Sequence, residues 1–458
     1  MTISLADFQR PFFIGIAGSG MSAIAQYLKE MGKQVSGSDR FFQTGEFNEI
    51  KNKLELAGIP CFVQDGQGIT EQNDLVVVSA AIEEKVGEMQ KARQLHIPVI
   101  TRAELLALIA QSKKTIAVGG TSGKSTTVGM LFQVLEFAGL EPGLITGAGL
   151  VSLIKQGLLG NAQLGQGEWL IIEADESDGS IVHYKPEIGI LLNVDKDHKE
   201  IESLMELFQV FKDNSKKFIV NQENSLAKKL SQKKSFDFSS SPEPGIIYTA
   251  TDFVQKGLNI FFRIHEVPFS LNLIGKHNME NALAAITTAA QIGIPLETCS
   301  RALQDYQGIY RRHQVLGNKN GTWLIDDYAH NPVKCAAAIS ACQPIASKLV
   351  AWFQPHGYGP TKFLRHDFVR EIASVLRKED EIWMSEIFYA GGTTTKDISA
   401  NDLINDLKAL GKSAYFVENR DYFLEEVRPH LSNDTVLLLM GARDPSLEDF
   451  AMQVWKKL

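Results

Sequence analysis

Residues 114–139, KTIAVGGTSGKSTTVGMLFQVLEFAG, carry the strongest local signal in the chain. KTIAV is a short run rich in β-branched and apolar residues, which predicts a buried strand. Gly119, Gly120 and Gly123 predict a tight turn, after which Val128, Leu131, Val134 and Leu135 recur at helical spacing. A strand running through a glycine loop into a helix leaves backbone N–H groups bare at the helix N-terminus, where phosphate oxygens bind. Lys124 adds a cation there, and Ser125 a hydroxyl able to ligate Mg2+. The loop is one residue shorter than G-x-x-x-x-G-K-[ST], because Val118 stands where the first glycine belongs. A helix cap without a ligand is the plain alternative; the strand before, the helix after and the pair Thr126 and Thr127 favour a nucleotide.

The same alternation extends in both directions. FFIGIAG, QVSGSD and DLVVVSA precede the loop; EWLIIEA, EIGILLNV, KKFIVN, TWLIDDY, SKLVAWF, DEIWMSE and DTVLLLMG follow it, with helix-period stretches such as 21–31 and 48–57 between many of them. Strands alternating with helices predict βαβ units and parallel sheets, an α/β fold. At ~100–200 residues per domain, 458 residues leave room for about three domains. Polar breaks at 111–114 and 306–320 supply the cuts. Residues 231–245, SQKKSFDFSSSPEPG, are rich in Ser, Lys and Pro and predict an exposed loop.

Composition narrows the function classes. The 46 Lys+Arg against 54 Asp+Glu give a net charge of −8, which repels polyphosphate backbones and argues against nucleic acid as a main partner. No apolar run approaches the ~20 residues that span a bilayer, so no membrane insertion is expected. The opening MTISLADFQRPF lacks a basic segment followed by an apolar one, and the expectation is a cytoplasmic protein. Cys61, Cys299, Cys335 and Cys342 form no CxxC pair, which indicates neither a zinc knuckle nor a disulfide framework.

A second glycine loop, GIAGSGM from Gly15 to Met21, also lies between a strand and a helix, and Asp39 closes the next strand. A dinucleotide-binding unit places its ribose acid at about that distance. The order is G-x-x-G-x-G rather than G-x-G-x-x-G, so the loop predicts a diphosphate ligand without distinguishing NAD from a UDP-sugar. Two acid clusters end other strands: Glu173, Asp175, Glu176 and Asp178, then Asn193, Asp195, Asp197 and His198. Hard oxygen ligands beside a phosphate loop suit Mg2+.

Taken in order, GIAGSGM, SGSD, VVSAAI, TRAELL, GGTSGKSTT, EADESDGS, NVDKDH, GKHNMENALAA, YRRHQVLG, DDYAHNP and FQPH resemble the Mur ligase family over nearly the whole chain. The short phosphate loop is that family's own form. The resemblance implies an α/β, three-domain architecture. A UDP-sugar-binding Rossmann-like domain would occupy 1–111, a central P-loop ATPase-like domain 112–312, and a Rossmann-like domain for the amine acceptor 313–458. It also implies amide formation, dependent on ATP and Mg2+, between the lactyl carboxylate of UDP-N-acetylmuramate and an amino acid, through an acyl phosphate, in peptidoglycan precursor synthesis. L-Alanine is the first expectation for the acceptor; a short peptide, as in the branch that recycles a preformed tripeptide, is the alternative.

Matching positions carry roles by the same resemblance. Gly18, Ser19, Gly20, Met21, Asp39, Ser79 and Arg102 would meet the UDP-sugar. Gly120, Thr121, Gly123, Lys124, Ser125 and Thr126 would meet the ATP phosphates, Asn278 and Asn281 the adenine, Arg312 the γ-phosphate, and Asp327 the ribose, with His330 beside it. Ser125, Glu173 and His198 would hold the metal, and Lys124, His198 and Arg312 would act on the reacting groups. His356 of FQPH would serve the acceptor. In alanine-adding members arginines follow FQPH and hold the acceptor's carboxylate, but Gly357 and Pro360 stand there in this chain and cannot pair with one. Arg443 in GARDP and Arg365 are the cations available instead. Two other classes compete. A NAD-dependent dehydrogenase built on the first loop leaves Lys124, Glu173 and His198 without a purpose. A non-catalytic nucleotide or UDP-sugar binder would have no need to retain that set together with Ser125 and Arg312.

Overall fold

Near-continuous apolar runs become strands covered on both faces, as parallel strands between helices must be. The structure, a computed structural model, describes residues 3–44, 48–79, 82, 85–177, 179–195, 200–389 and 395–458. Five strands, β1 (Pro11–Ile14), β2 (Ser36–Asp39), β3 (Cys61–Val63), β4 (Leu75–Val78) and β5 (Val99–Thr101), form a parallel sheet in the order β3-β2-β1-β4-β5. A six-stranded sheet follows, built from β6 (Lys114–Gly119), β7 (Gly143–Ile145), β8 (Ala162–Gln163), β9 (Trp169–Glu173), β10 (Ile188–Leu191) and β11 (Lys217–Val220). Its order is β11-β10-β6-β9-β7-β8, parallel except between β7 and β8. A smaller sheet joins β12 (Phe238–Ser239), β13 (Tyr248–Lys256), β14 (Asn259–Ile264) and β15 (Val267–Leu271) in sequence order. The last sheet contains β16 (Gln314–Lys319), β17 (Thr322–Asp327), β18 (Lys348–Gln354), β19 (Glu381–Met384), β20 (Ser413–Phe416) and β21 (Thr435–Gly441). Its order is β16-β17-β21-β18-β19-β20, with only β16 antiparallel to its neighbour.

The chain divides into two compact units. One comprises residues 1–252, 262–269 and 280–309, the other 253–261, 270–279 and 310–458. In the first, a single buried apolar cluster that includes Phe13, Tyr27, Leu105, Leu170 and Phe208 runs through both large sheets. In the second, Ile325, Cys335, Cys342, Phe353 and Met384 belong to one core, and Trp352, Phe423 and Phe450 to another. Each such large side chain removed from water contributes roughly 1.5–3 kcal/mol. Burial pushes the Cys299 thiol up to about 12 and the Cys335 and Cys342 thiols well above their ordinary range.

Every run read as a strand is one, and the helices expected at 21–31 and 48–57 are Ser19–Glu30 and Asn48–Leu56. Two expectations need correction. Residues 231–245 are not simply an exposed loop: Asp237, Phe238 and Ser239 are buried, and β12 joins a sheet. Asp237 accepts hydrogen bonds from Val220 N at 3.0 Å, Gln222 Nε2 at 2.7 Å and the Ser231 hydroxyl. The polar stretch 306–320 likewise contains β16. Among the described residues no helix is long and apolar enough to cross a membrane.

Candidate active site

In the first unit, β6 ends at Gly119 and the helix Lys124–Phe137 begins four residues after Gly120. Gly120 and Gly123 adopt φ of +134° and +87°, which L side chains rarely do. A Cβ at Gly120 would lie 3.1 Å from Leu192, and one at Gly123 would run into the Asn281 amide. The loop is therefore a cradle that only glycines leave open, with Asn281 already against it. Asn193 fixes its shape: its Oδ1 accepts from Thr121 Oγ1 and Ser122 N at 2.8 Å each, and its Nδ2 donates to Ser122 O at 3.1 Å. Asp195 N donates to Thr121 Oγ1 at 3.1 Å. Asn193 and Asp195, grouped by sequence with the metal acids, shape this glycine loop. The Thr126 carbonyl accepts from Tyr306 at 3.4 Å.

Lys124 Nζ donates to Glu176 Oε2 at 2.8 Å and to the Gly120 carbonyl at 2.7 Å. Burial by itself would lower the lysine's pKa, but Glu176, Glu173 and Asp175 outweigh it and hold the ammonium charged. Burial raises the Glu176 carboxyl, and Lys124 offsets only part of that. Glu173 Oε2 accepts three bonds of 2.9 Å, from Ser125 Oγ, Thr146 Oγ1 and Gly147 N. Two hydroxyls gathered on one carboxylate form a hard-oxygen set of the kind Mg2+ takes together with water and phosphate. Among the described residues no group of three or more His, Cys, Asp or Glu is placed to hold a metal. Asp178, Asp197 and His198 lie outside the described residues. Thr146 was not anticipated; TGAG after an apolar strand was the available signal.

The other glycine loop belongs to the same unit. Gly15 N and Ile16 N donate to Ser38 O at 2.8 and 3.0 Å, and the helix Ser19–Glu30 starts behind Gly18. Gly18, Ser19, Gly20, Met21, Ser79 and Arg102 line a cavity of about 260 Å³ with Thr146, Gly147, Glu173 and Asp175. The Arg102 guanidinium covers the helix start so closely that a Cβ at Gly20 would stand 3.1 Å from it. Asp39 is not among the lining residues: buried, it accepts from Ala17 N at 3.0 Å and Phe41 N at 3.1 Å, and so supports the loop from behind. Burial raises its pKa despite those bonds.

The second unit carries Asn278, Arg312, Asp327, His330, His356 and Arg443. Asn278 donates to Ile274 O at 2.8 Å. Arg311 and His313 adopt φ of +54° and +45°, and Arg312 between them lies 5.0 Å over the Tyr328 ring. The turn is held by Arg311, which donates to both oxygens of Asp326 at 2.8 and 3.2 Å and to Gly441 O at 3.2 Å. Asp327 accepts from His313 N at 2.6 Å and Ala329 N at 2.7 Å. His330 Nδ1 lies 2.9 Å from Tyr328 O and must donate to it, which leaves Nε2 as an acceptor. Burial, then Lys334, and also Arg312 and His356, drive the His330 pKa down, so the ring is neutral in an electropositive setting. His356 lies 5.6 Å from His330. Arg365, one of the two cations considered for the acceptor, is instead committed to Asp406 through bonds of 2.7 and 2.9 Å.

Three family models match in succession: residues 12–114 the Mur ligase family catalytic domain, 118–289 the Mur ligase middle domain, and 311–443 the Mur ligase glutamate ligase domain. The chain is 33% identical over 447 residues to the UDP-N-acetylmuramate–L-alanine ligase of Carboxydothermus hydrogenoformans, covering 94% of this chain and 93% of that protein. It is 34% identical over 452 residues to the ligase of that name from Geobacter sp. strain M21, covering 95% of each. The chain belongs to the Mur ligase family. This Mur ligase is also similar to the crystal structure of UDP-N-acetylmuramate–alanine ligase from Thermotoga maritima, with a TM-score of 0.80, 26% identity and 98% of both chains covered. Its fold is shared with a murein peptide ligase from Psychrobacter arcticus, at a TM-score of 0.67, 20% identity and 98% of both chains covered.

Proposed function

We propose that this Mur ligase joins the lactyl carboxylate of UDP-N-acetylmuramate to the amine of L-alanine in cytoplasmic peptidoglycan precursor synthesis, with ATP and Mg2+. The observation that carries the reading is the cavity shared by the first glycine loop and Glu173, since it lets a ligand bound at the loop present an acid to the phosphate side. The helix N-terminus at Ser19 and the Arg102 guanidinium suit the diphosphate of the UDP-sugar. ATP with its metal would supply the γ-phosphoryl group: a carboxylate oxygen bonds to the γ-phosphorus, the bond from that phosphorus to the ADP oxygen breaks, and an acyl phosphate and ADP result. The amine nitrogen then bonds to the carbonyl carbon, the bond to the phosphate oxygen breaks, and the nitrogen gives up a proton as the amide forms.

The chain's own groups hold the charge that moves through these steps. Gly120, Thr121, Gly123 and Ser125 cradle phosphate oxygens, and Lys124 transfers its contact from Glu176 to the phosphates. Thr126 follows in the same loop-to-helix turn. Ser125 and Glu173 would hold the metal, with His198 a third participant by resemblance. Asn278 and Asn281 serve the adenine, Asp327 and His330 the ribose side, Arg312 the γ-phosphate and His356 the acceptor. The three-part division at 111/112 and 312/313 belongs to the same proposal.

Phosphate release measured with UDP-N-acetylmuramate, ATP, Mg2+ and a panel of amines tests it. L-Alanine is expected to be the best substrate; strong preference for a tripeptide moves the enzyme to the recycling branch. Calorimetry separates the remaining alternative: NAD binding without UDP-N-acetylmuramate binding would overturn the proposal.

A further inference from the structure

An α-amino acid carries its carboxylate one carbon from the reacting nitrogen, so an enzyme that selects it gains from a cation fixed beside the nucleophile. We infer that Arg443 is the residue that selects the acceptor's carboxylate, and that a clamp between Arg420 and Asp444 aims it. This deepens the reading above and rests on it.

The sheet register supplies the position. β18 and β21 are parallel neighbours with Gln354 opposite Gly441, and a Cβ at Gly441 would lie 3.4 Å from Gln354 O. His356 and Arg443 each follow two residues later, at the carboxyl ends of adjacent strands, where open α/β sheets bind ligands. Three other cations of this unit are already engaged. Lys362 pairs with Asp397 at 2.5 Å and Arg365 with Asp406 at 2.7 Å. Lys396 rests over the Tyr389 and Tyr358 rings at 4.5 and 5.7 Å, as a point charge without a planar fork. Gly357 and Pro360 contribute no charge. Arg443 is exposed and makes no hydrogen bond or ion pair with any described residue.

The backbone supplies the second observation. Arg443 adopts φ of +64°, a conformation seldom accepted by a long side chain without a compensating constraint. That constraint is the next residue. Asp444 is only 5% exposed and accepts from Arg420 Nη1 at 2.5 Å and from Ser446 N at 2.9 Å. Arg420 Nη1 also donates to Gln354 Oε1 at 2.9 Å, tying the turn to the end of β18. Asp444 thus faces inward, and Arg443, locked in the left-handed region, is exposed two residues past the end of β21, as His356 is two residues past the end of β18. A guanidinium held this way can meet a carboxylate with two parallel hydrogen bonds.

Steady-state kinetics with L-alanine and L-alaninamide, which lacks the carboxylate charge, tests the inference on the full-length enzyme. Wild type should prefer the acid. Arg443→Ala should raise the L-alanine KM at least tenfold, leave the KM values for ATP and UDP-N-acetylmuramate within twofold, and abolish the preference for acid over amide. Arg443→Lys should restore part of that preference. Asp444→Asn, which keeps Arg443 but loosens the clamp, should weaken the preference while leaving kcat with the amide unchanged. Arg365→Ala should behave as wild type. If wild type turns over L-alanine and Arg443→Ala keeps both its KM and its preference, or if Lys396→Ala shows the loss instead, the inference is wrong. If wild type turns over no α-amino acid, the proposed function falls first.

Discussion

Lys124, proposed above to meet the phosphates, is paired with Glu176, which makes it a structural residue as well. With side chains 12% and 8% exposed, Lys124 and Glu176 form a buried ion pair, and removing one partner of such a pair strands the other. Lys124→Ala is expected to cut phosphate release roughly a hundredfold to a thousandfold, the usual effect of losing ~2.7–4 kcal/mol of preorganised stabilisation. It should also lower stability, but by less than the ~3–5 kcal/mol typical of a broken buried pair, because burial already favours protonation of Glu176. Adding Glu176→Gln should restore the urea midpoint and leave the rate low. If the single variant retains a third of wild-type turnover, Lys124 has no part in phosphate chemistry.

At the scale of elements, the two glycine loops are made differently. The first is supported by Asp39 at the end of the neighbouring strand β2, the second by Asn193, two residues past the end of β10, the neighbour of β6. Gly123→Ala would force a Cβ into both an unfavourable φ and the Asn281 amide. A drop in ATP affinity of tenfold or more is expected by calorimetry, with UDP-N-acetylmuramate affinity preserved; equal loss of both would indicate general unfolding. The central parallel strands such as β6, β9, β18 and β21 were legible in the sequence because burial on both faces writes an unbroken apolar run, whereas the short parallel strands β3, β5, β7 and β20, of three or four residues, were missed. β13 was not legible either, because only Ala250 in it is buried, the later positions alternate between half-buried and exposed, and Thr, Asp and Gln are mixed among its apolar residues. The site divides in the same way. Lys124, Ser125 and Glu173 follow from spacing around a motif, whereas Thr146 and the clamps made by Asn193 and Arg420 join residues 24 to 72 positions apart, which no local pattern records.

For the whole molecule the electrostatic consequence is sensitivity to acid. Burial, and then His313, push the His277 pKa down to about 3 with Asp327 opposing, and His330 is also lowered. Both titrate near 6.5 in an unfolded chain, so between about 6.5 and about 3 the unfolded state binds more protons than the folded one. Stability therefore falls as pH falls through that window, by about 1.4 kcal/mol per pH unit for each such histidine. The urea midpoint should decline steadily from pH 6.5 to pH 5. His277→Gln should reduce the slope, and a midpoint unchanged over that range would refute the assignment.

Cys335 and Cys342, seven residues apart on the helix Pro332–Cys342, are fully buried, and their thiols resist ionisation. Alkylating reagents attack thiolates, so these two atoms stay silent for as long as their core is closed. Each becomes a chemical clock for opening of the second unit. Mass-tagging rates in the presence and absence of substrates would time that opening without any engineered probe.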